Sequence, residues 1–144
     1  TMPICRVTRR VHFNAAHRLH NPAKPDDWNT RVFGVCANPN YHGHNYELDV
    51  SVTGEIDPET GYVIDINVLK RLIEEKLLAQ LDHKNLNLDT PEFADGRGLN
   101  PSVENIAKVV FELLSPEVSR RSPGAVLRDV TVWESDRTSA TYPG

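Results

Sequence analysis

One cysteine and two histidines lie close together in the segment VCANPNYHGHNY, which covers residues 35–46. Cys36 comes six residues before His42, and a single glycine separates His42 from His44. Imidazole nitrogen and thiolate sulfur are ligands that Zn2+ prefers in proteins, and a thiol is also a candidate nucleophile or proton acceptor. The segment therefore indicates a metal site, a reactive cysteine, or both.

The two histidines open an alternating segment that predicts a half-buried β-strand. After His44, apolar side chains recur at every second position, and polar or charged side chains fill the positions between them. The apolar positions are Tyr46, Leu48, Val50 and Val52. Since residues two apart on a strand point to the same side, we expect His42 and His44 to project from the apolar face.

A third histidine follows a similar pattern near the N-terminus. A second alternating series is formed by Val7, Val11, Phe13 and Ala15. Arg9 interrupts this series, and counting onwards places His17 on its apolar face. Three imidazoles on apolar faces at strand ends suit a Zn2+ ion, although iron and copper also accept such ligands. The alternative is a set of buried histidines satisfied by hydrogen bonds.

Cys36 decides between two kinds of zinc site. If its sulfur closes a tetrahedral coordination sphere around the ion held by the three histidines, the site is structural. If the thiol stands off the metal, one position stays open and Cys36 becomes a candidate base or nucleophile, because a cation nearby favours the thiolate. The spacing along the sequence leaves both interpretations open.

Two further segments carry ionisable residues at unusual positions. Asp82 and His83 are adjacent where the first predicted helix ends, although a helix C-terminus also favours a histidine through its dipole. Glu134 follows Val130 and Val132 onto the core face of a predicted strand. A carboxylate at such a position is costly without a hydrogen-bonding partner, so we expect Glu134 to have one.

The elements that must position these residues predict an α+β fold. One helix is expected from Ile66 to Leu81, and a second begins after the capping residue Ser102, with a long irregular connection over residues 81–102. The segment GEIDPETGYVIDI is interpreted as a turn joining two strands, and a last strand covers Val126–Glu134. The order β, β, β, α, α, β implies a four-stranded antiparallel sheet with two helices on one face.

Composition and charge narrow the class of protein. The 144 residues are 39% hydrophobic and 25% charged, as expected for one globular domain over residues 1–144. Without a membrane-spanning apolar run or the apolar middle of a signal peptide, we expect a soluble cytoplasmic protein. Two cysteines are too few for a disulfide framework. A net charge of −4 without a basic cluster argues against nucleic acid and favours a small-molecule partner over a membrane.

Six motifs cover nearly the whole chain in a characteristic order. They are FNAAHRL, CANPNYHGHNY, GYVIDINVLK, LDHKNLN, PSVENIA and VWES. This set resembles the 6-pyruvoyltetrahydropterin synthase family, which includes the bacterial 6-carboxytetrahydropterin synthases of queuosine biosynthesis. The resemblance implies a tunnelling fold (T-fold), in which subunits form barrel-like trimers that stack into a homohexamer, with sites between subunits.

The resemblance also implies a role for each candidate residue. The three histidines match the zinc ligands of the family. Cys36 matches the thiol that moves protons, with Asp82 and His83 supporting it in a relay. Glu134 matches the anchor of the pterin ring. Glu104 is similar to a second pocket residue, although a carboxylate in the first turn of a helix also stabilises the helix dipole.

The family reaction implied for this chain acts on 7,8-dihydroneopterin triphosphate as a lyase that eliminates triphosphate. Five residues separate Cys36 from His42, a spacing that resembles the pyruvoyl-forming enzymes more than the carboxy-forming ones. We therefore predict a zinc-dependent enzyme that forms 6-pyruvoyltetrahydropterin. The alternatives are formation of 6-carboxytetrahydropterin from the same substrate, and a non-catalytic module that binds a pterin or purine, with Cys36 as the fourth zinc ligand.

Overall fold

The centre of the fold is a long antiparallel hairpin. In the computed structural model, which describes residues 2–94 and 98–144, it consists of β1 (Ile4–His17) and β2 (His42–Glu55). The two strands pair along their whole length. The alternating apolar side chains near the histidine end of both strands are buried, as the period-two pattern predicts.

The connection between these strands carries a helix that the sequence did not predict. It contains α1 (Asp26–Phe33), followed by a 3-10 turn over Gly34–Ala37 that holds Cys36. Gly34 ends α1 with a φ of 59°, in the left-handed range that glycine adopts without a steric penalty. The cysteine is thereby placed on a short, tight element beside the start of β2.

A helical segment predicted from Ile66 to Leu81 is present over that range. It consists of α2 (Ile66–Ile73), a π-helical turn (Glu74–Leu78) and α3 (Ala79–Leu81). The side chain of Asp65 caps its start by accepting a hydrogen bond from the N–H of Asn67 at 2.8 Å. Ile66 is exposed rather than buried, and the inner face of the helix is formed by Leu69, Leu72, Ile73, Leu77 and Leu81.

The described residues of the connection that we predicted to be irregular, 81–94 and 98–102, include short regular elements, and residues 95–97 of that prediction lie outside the described residues. The elements include β3 (Lys84–Asn85), which pairs in parallel with the end of β1, and α4 (Leu86–Asp89). The predicted strand after the turn in GEIDPETGYVIDI is wrong, because residues 56–65, all of them described, form no strand. In that segment, backbone hydrogen bonds close a local turn instead, from Asp57 N–H to Tyr62 O and from Gly61 N–H to Asp57 O.

The second long helix is α5 (Val103–Arg121), and it begins as predicted after Ser102, whose hydroxyl accepts a hydrogen bond from Asn105 N–H. It packs with α2 and α3 on the inner face of the sheet, where their apolar side chains form one core. None of the helices in the described residues is long and apolar enough to cross a bilayer.

The sheet has five strands instead of the predicted four. After α5 come β4 (Val126–Trp133) and β5 (Ser139–Tyr142), and the order across the sheet is β3-β1-β2-β4-β5. All pairs except β3 with β1 are antiparallel. Short edge strands such as β3 and β5 carry too few residues for an alternating pattern, which is why the sequence did not reveal them.

A β-bulge in β4 changes the predicted face of its first residues. Arg128 is an extra residue between the positions that pair with Ser51 and Val52 of β2. As a result Val126, which an unbroken period of two would place on the same face as Val130 and Val132, is 53% exposed, and Leu127 takes the inner position. Beyond the bulge, the apolar residues of β4 lie on the core face as predicted.

Candidate metal centre and its surroundings

Three imidazoles meet at one end of the β1–β2 hairpin. His17 ends β1 directly opposite His42, which begins β2, and His44 follows two residues later on the same face. The ring centroids are 4.6 Å apart for His17 and His42, 5.0 Å for His17 and His44, and 4.9 Å for His42 and His44. The three rings therefore surround a common point.

A carboxylate completes this group. Glu134 follows the last residue of β4, and extending the β2–β4 register by one residue places it opposite Tyr46 on the core face. Its Oε1 lies 2.9 Å from Nε2 of His44 and 3.5 Å from Nε2 of His17. The potential ligand atoms of Glu134 and the three histidines all lie within 4.8 Å of one another. In the described ranges, no other His, Cys, Asp or Glu cluster meets this criterion.

His17 is oriented by a backbone carbonyl. Its Nδ1 lies 2.7 Å from the oxygen of Pro101, and because a carbonyl only accepts, the Nδ1 nitrogen carries the proton. Nε2 is then left with its lone pair, as in most metal-bound histidines. Burial is the main cause that lowers the pKa of His17 to about 4, and the charges of His42 and His44 lower it further. The hydrogen bond to Pro101 opposes this shift. The ring is therefore neutral near pH 7.

The other two imidazoles also fit a metal ligand set. Burial is the main cause that lowers the pKa of His42, with a further contribution from His44 and an opposing one from Glu134. Nε2 of His44 is buried and makes no hydrogen bond to any described residue, since the nearby carboxylate does not lie in the direction of a ring N–H bond. A buried nitrogen without a partner is rare, and a metal ion would satisfy it.

Tyr46 and Pro101 belong to the site although the sequence did not indicate them. The Tyr46 hydroxyl lies 3.4 Å from both ring nitrogens of His17, and the Tyr46 ring packs edge-on against His44. Burial, with the charge of Glu134, raises the pKa of the Tyr46 phenol, so this group is a neutral part of the wall. The alternating pattern of β2 could have indicated Tyr46, which lies on the same apolar face as the histidines. The contact of the Pro101 carbonyl leaves no signal in the sequence.

Cys36 lies outside the group of four potential ligands. It is half-buried with a free thiol, on the 3-10 turn before β2. Its carbonyl accepts a hydrogen bond from Leu19 N–H at 2.8 Å, and the Arg18 guanidinium donates to the next carbonyl, of Ala37, at 2.9 Å. The turn is therefore attached to the chain directly after His17, without supplying one of the four grouped ligand atoms.

Asp82 and His83 form a separate pair beside the edge of β1. Oδ1 of Asp82 accepts a hydrogen bond from Asn14 N–H at 2.9 Å, and His83 N–H donates to the Asn14 carbonyl at 2.6 Å. The Asn14 hydrogen bond is the main cause that lowers the pKa of Asp82, opposed by burial and assisted by His83. Nδ1 of His83 lies 3.1 Å from Asp82 Oδ1, and the side chain of His83 is 82% exposed. Neither residue belongs to the candidate metal group of His17, His42, His44 and Glu134, called the metal group below.

Glu104 is in the first turn of α5, three residues after the carbonyl that orients His17. Its side chain is exposed and forms no ion pair within the described part of the chain. Its position agrees with a helix-dipole role, and its role in the substrate pocket stays a prediction.

Comparison with known proteins gives the family. Residues 6–144 match the model of the family described as 6-pyruvoyl tetrahydropterin synthase. The chain belongs to this family. The 6-pyruvoyl tetrahydrobiopterin synthase of Homo sapiens is 43% identical over 138 residues, which are 96% of this chain and 90% of the human protein. These matches support an enzyme of the synthase family.

Solved structures agree with that assignment. The structure of Caenorhabditis elegans 6-pyruvoyl tetrahydropterin synthase matches with a TM-score of 0.90 at 39% identity, covering 99% of this chain and 97% of that chain. The predicted tunnelling fold of the subunit is therefore confirmed, with a five-stranded sheet. A more distant relative is the dihydroneopterin monophosphate aldolase of Pyrococcus furiosus, 33% identical over 91% of this chain and 90% of the aldolase. Relatives of this chain thus carry the names of two different reactions.

Proposed function

We propose that this chain is a zinc-dependent synthase that converts 7,8-dihydroneopterin triphosphate to 6-pyruvoyltetrahydropterin with loss of triphosphate. The observation that carries the proposal is the group of three imidazoles, one with a fixed Nδ1 proton and one with an unpartnered buried nitrogen, beside the turn that holds Cys36. The human relative named for this activity, at 43% identity, supports it.

The residues that would hold the ion are His17, His42 and His44. Imidazole side chains are suited to Zn2+ at about 2.0–2.1 Å, and three such ligands leave one position for a substrate. When bound, zinc supplies Lewis-acid chemistry that makes the C–H and O–H bonds of the substrate's hydroxylated side chain more acidic. A weak protein base is then sufficient.

Cys36 is the base in this proposal. Its thiolate Sγ takes a carbon-bound proton from the substrate side chain, triphosphate leaves by elimination, and return of the proton completes an internal redox tautomerisation. No nicotinamide is needed, because the oxidised and reduced carbons belong to the same molecule. The thiol would not serve as a zinc ligand, which agrees with its place outside the four-residue group.

Asp82 and His83 would relay the proton, with the carboxylate orienting the imidazole through Nδ1. In one chain this pair is exposed and separate from the metal group, so the proposal assigns the pair at each site to a neighbouring subunit. The homohexamer implied by the family resemblance would provide such neighbours. Complementation between inactive Cys36→Ala and His83→Ala variants tests this arrangement.

Glu134 would anchor the pterin ring by accepting hydrogen bonds from its 2-amino group and ring N–H, with Glu104 as a secondary contact. Its closeness to His44 would place the pterin beside the metal. The carboxylate could instead complete the metal group. We propose the pterin role, because a fourth protein ligand would close the position that catalysis needs.

The decisive experiment is to incubate zinc-loaded protein with 7,8-dihydroneopterin triphosphate and identify the products by mass spectrometry. We expect 6-pyruvoyltetrahydropterin and free triphosphate, and neither from the metal-stripped protein. A 6-carboxytetrahydropterin product would indicate the carboxy branch. A pterin with a side chain shortened by carbon–carbon cleavage would indicate an aldolase like the Pyrococcus relative. Binding of a pterin without turnover would indicate a non-catalytic module.

A further inference from the structure

Arg18 connects two segments at the metal centre, and its backbone is fixed on both sides. It directly follows His17. Its N–H donates to Oδ1 of Asn87 at 2.8 Å, and its carbonyl accepts from Nδ2 of Asn87 at 3.1 Å. Asn87 is 3% exposed and lies in α4, four residues after His83. The buried side chain of Asn87 thus forms hydrogen bonds with both backbone groups of Arg18, as the backbone of a neighbouring strand would.

The side chain of Arg18 holds the turn that carries Cys36. Its Nη2 donates to the Ala37 carbonyl at 2.9 Å, while Leu19 N–H donates to the Cys36 carbonyl at 2.8 Å. The two bonds fix consecutive carbonyls of a four-residue 3-10 turn, an element that has few hydrogen bonds of its own. Apolar packing adds little at the start of the turn, because Val35 is 86% exposed.

The guanidinium of Arg18 is held at an energetic penalty. Its Nε is buried and has no hydrogen-bond acceptor among the described residues, and such a donor is destabilising. Among the described residues, the guanidinium makes one hydrogen bond, to the carbonyl of Ala37. The guanidinium therefore fixes the turn although its own Nε–H has no acceptor among the described residues.

We propose that Arg18 is a positioning residue that sets the place of the Cys36 thiol relative to the metal centre, with its own backbone fixed by Asn87. A base must be held within hydrogen-bond reach of the proton that it takes, and a displacement of about 1 Å can lower a rate about 100-fold. The catalytic part of this inference rests on the proposed function, whereas the positioning of the turn does not.

The test compares Arg18→Met with Arg71→Met. Methionine keeps an unbranched stem and removes the guanidinium donors, and Arg71 is an exposed residue of α2 without an ion pair to described residues. For Arg18→Met we expect kcat to fall about 10- to 100-fold while zinc content and KM stay near wild type. Arg71→Met should keep wild-type values. Arg18→Lys, which can still donate to the Ala37 carbonyl, should recover part of the loss.

A double-mutant cycle separates positioning from a general structural role. In the Cys36→Ala background, Arg18→Met should cause no further loss of kcat, because no thiol remains to be misplaced. An equal fold-loss in both backgrounds would overturn the proposal.

Alkylation of Cys36 by iodoacetamide gives a second measurement, independent of turnover, with the exposed Cys5 as internal reference. Arg18→Met should change the rate at Cys36 several-fold and leave the rate at Cys5 unchanged. An unchanged rate at Cys36 would overturn the proposal even if the enzyme is a synthase. A changed rate in a protein that makes no pyruvoyl product would support positioning and refute the proposed reaction. If Arg18→Met does not fold, Arg18→Gln, too short to reach the turn, carries the same expectations.

Discussion

The metal group and the Asp82–His83 pair use the same imidazole chemistry in opposite settings. His17 is 1% exposed, lies on the core face and has its tautomer fixed by the Pro101 carbonyl. His83 is 82% exposed, has a φ of 61° in the left-handed region, and is held mainly through the backbone of Asn14. The first region is buried at His17 and half-buried at its other three members, and the second presents an imidazole to the surroundings.

This difference indicates which function a single subunit can perform and which function needs a second subunit. All four members of the metal group come from one chain, so metal binding should be a property of the single folded subunit. The exposed pair has no contact with that group in the same chain, and its backbone is fixed while its ring is accessible. Proton relay should therefore be a property of the assembly.

The largest expected effect comes from removing a member of the four-residue candidate metal group. His42→Ala should lose both stoichiometric zinc and measurable turnover, because two remaining imidazoles cannot hold a tetrahedral ion tightly. Metal analysis of the purified variant and product formation are the measurements. His12→Ala, on the exposed face of β1, is the matched control and should keep both. Full zinc content in His42→Ala would point to another ligand set.

The two proposed proton-transfer residues, Cys36 and His83, should affect turnover without affecting the metal. We expect Cys36→Ala and His83→Ala each to keep zinc and lose about 10²- to 10⁴-fold in kcat, the usual range for general acid–base groups. Assemblies formed from a mixture of the two inactive variants should recover part of the activity, since some sites then combine an intact thiol with an intact His83. Zinc loss in Cys36→Ala would instead identify the thiol as a fourth ligand.

The control for that mixture pairs Cys36→Ala with His42→Ala. Both changes lie in the region that one chain supplies, so no mixed site would be complete and activity should stay low. Recovery of activity in this control, or no recovery in the first mixture, would contradict the assignment of Asp82 and His83 to a neighbouring subunit.

A smaller effect is expected at the edge of the buried region. Glu134→Gln keeps the shape of the side chain but turns one acceptor into a donor, so pterin binding should weaken by about 2–5 kcal/mol. Calorimetric titration with a pterin and metal analysis are the measurements, and Glu59→Gln in a distant exposed loop is the control. Reduced zinc with unchanged pterin affinity would assign Glu134 to the metal.

The smallest effect concerns stability and pH at the exposed pair. The Asn14 hydrogen bond holds the pKa of Asp82 below its usual value, so the stabilisation is present above the unfolded pKa of about 4 and is lost as pH falls through the folded value. The difference in urea midpoint between metal-free wild type and Asp82→Asn should therefore narrow below about pH 4. Asp82 is about one-third exposed, so we expect about 1 kcal/mol or less. A difference that grows on acidification would contradict this sign.

Much of the buried region could be predicted from the sequence because burial imposes a period-two pattern. The same alternation that places Phe13 and Tyr46 in the core carries the histidines onto the apolar face. The phase of β4 could not be predicted in full, since its bulge depends on one extra residue, Arg128, that has no distinctive local signal. The prediction of a third strand was wrong because Val63 and Ile64 are apolar residues of a bend that precedes a helix.

The connections around the site were beyond local sequence analysis for a different reason. Arg18 and Asn87 are 69 residues apart in the chain, and their paired hydrogen bonds exist only because β1 and α4 meet in the fold. The same holds for the contact of His17 with Pro101, across 84 residues. Motifs indicated which residues carry chemistry, while the hydrogen bonds that aim them became visible only in three dimensions.

The bulge at Arg128 divides β4 into two registers that are shifted by one residue. Because side chains alternate along a strand, a one-residue slip normally turns every later side chain to the opposite face. Here the loop before β4 lies on one side of the bulge and Glu134 on the other. We therefore expect a one-residue deletion in that loop to remove the bulge, so that Glu134 keeps pointing at the histidines.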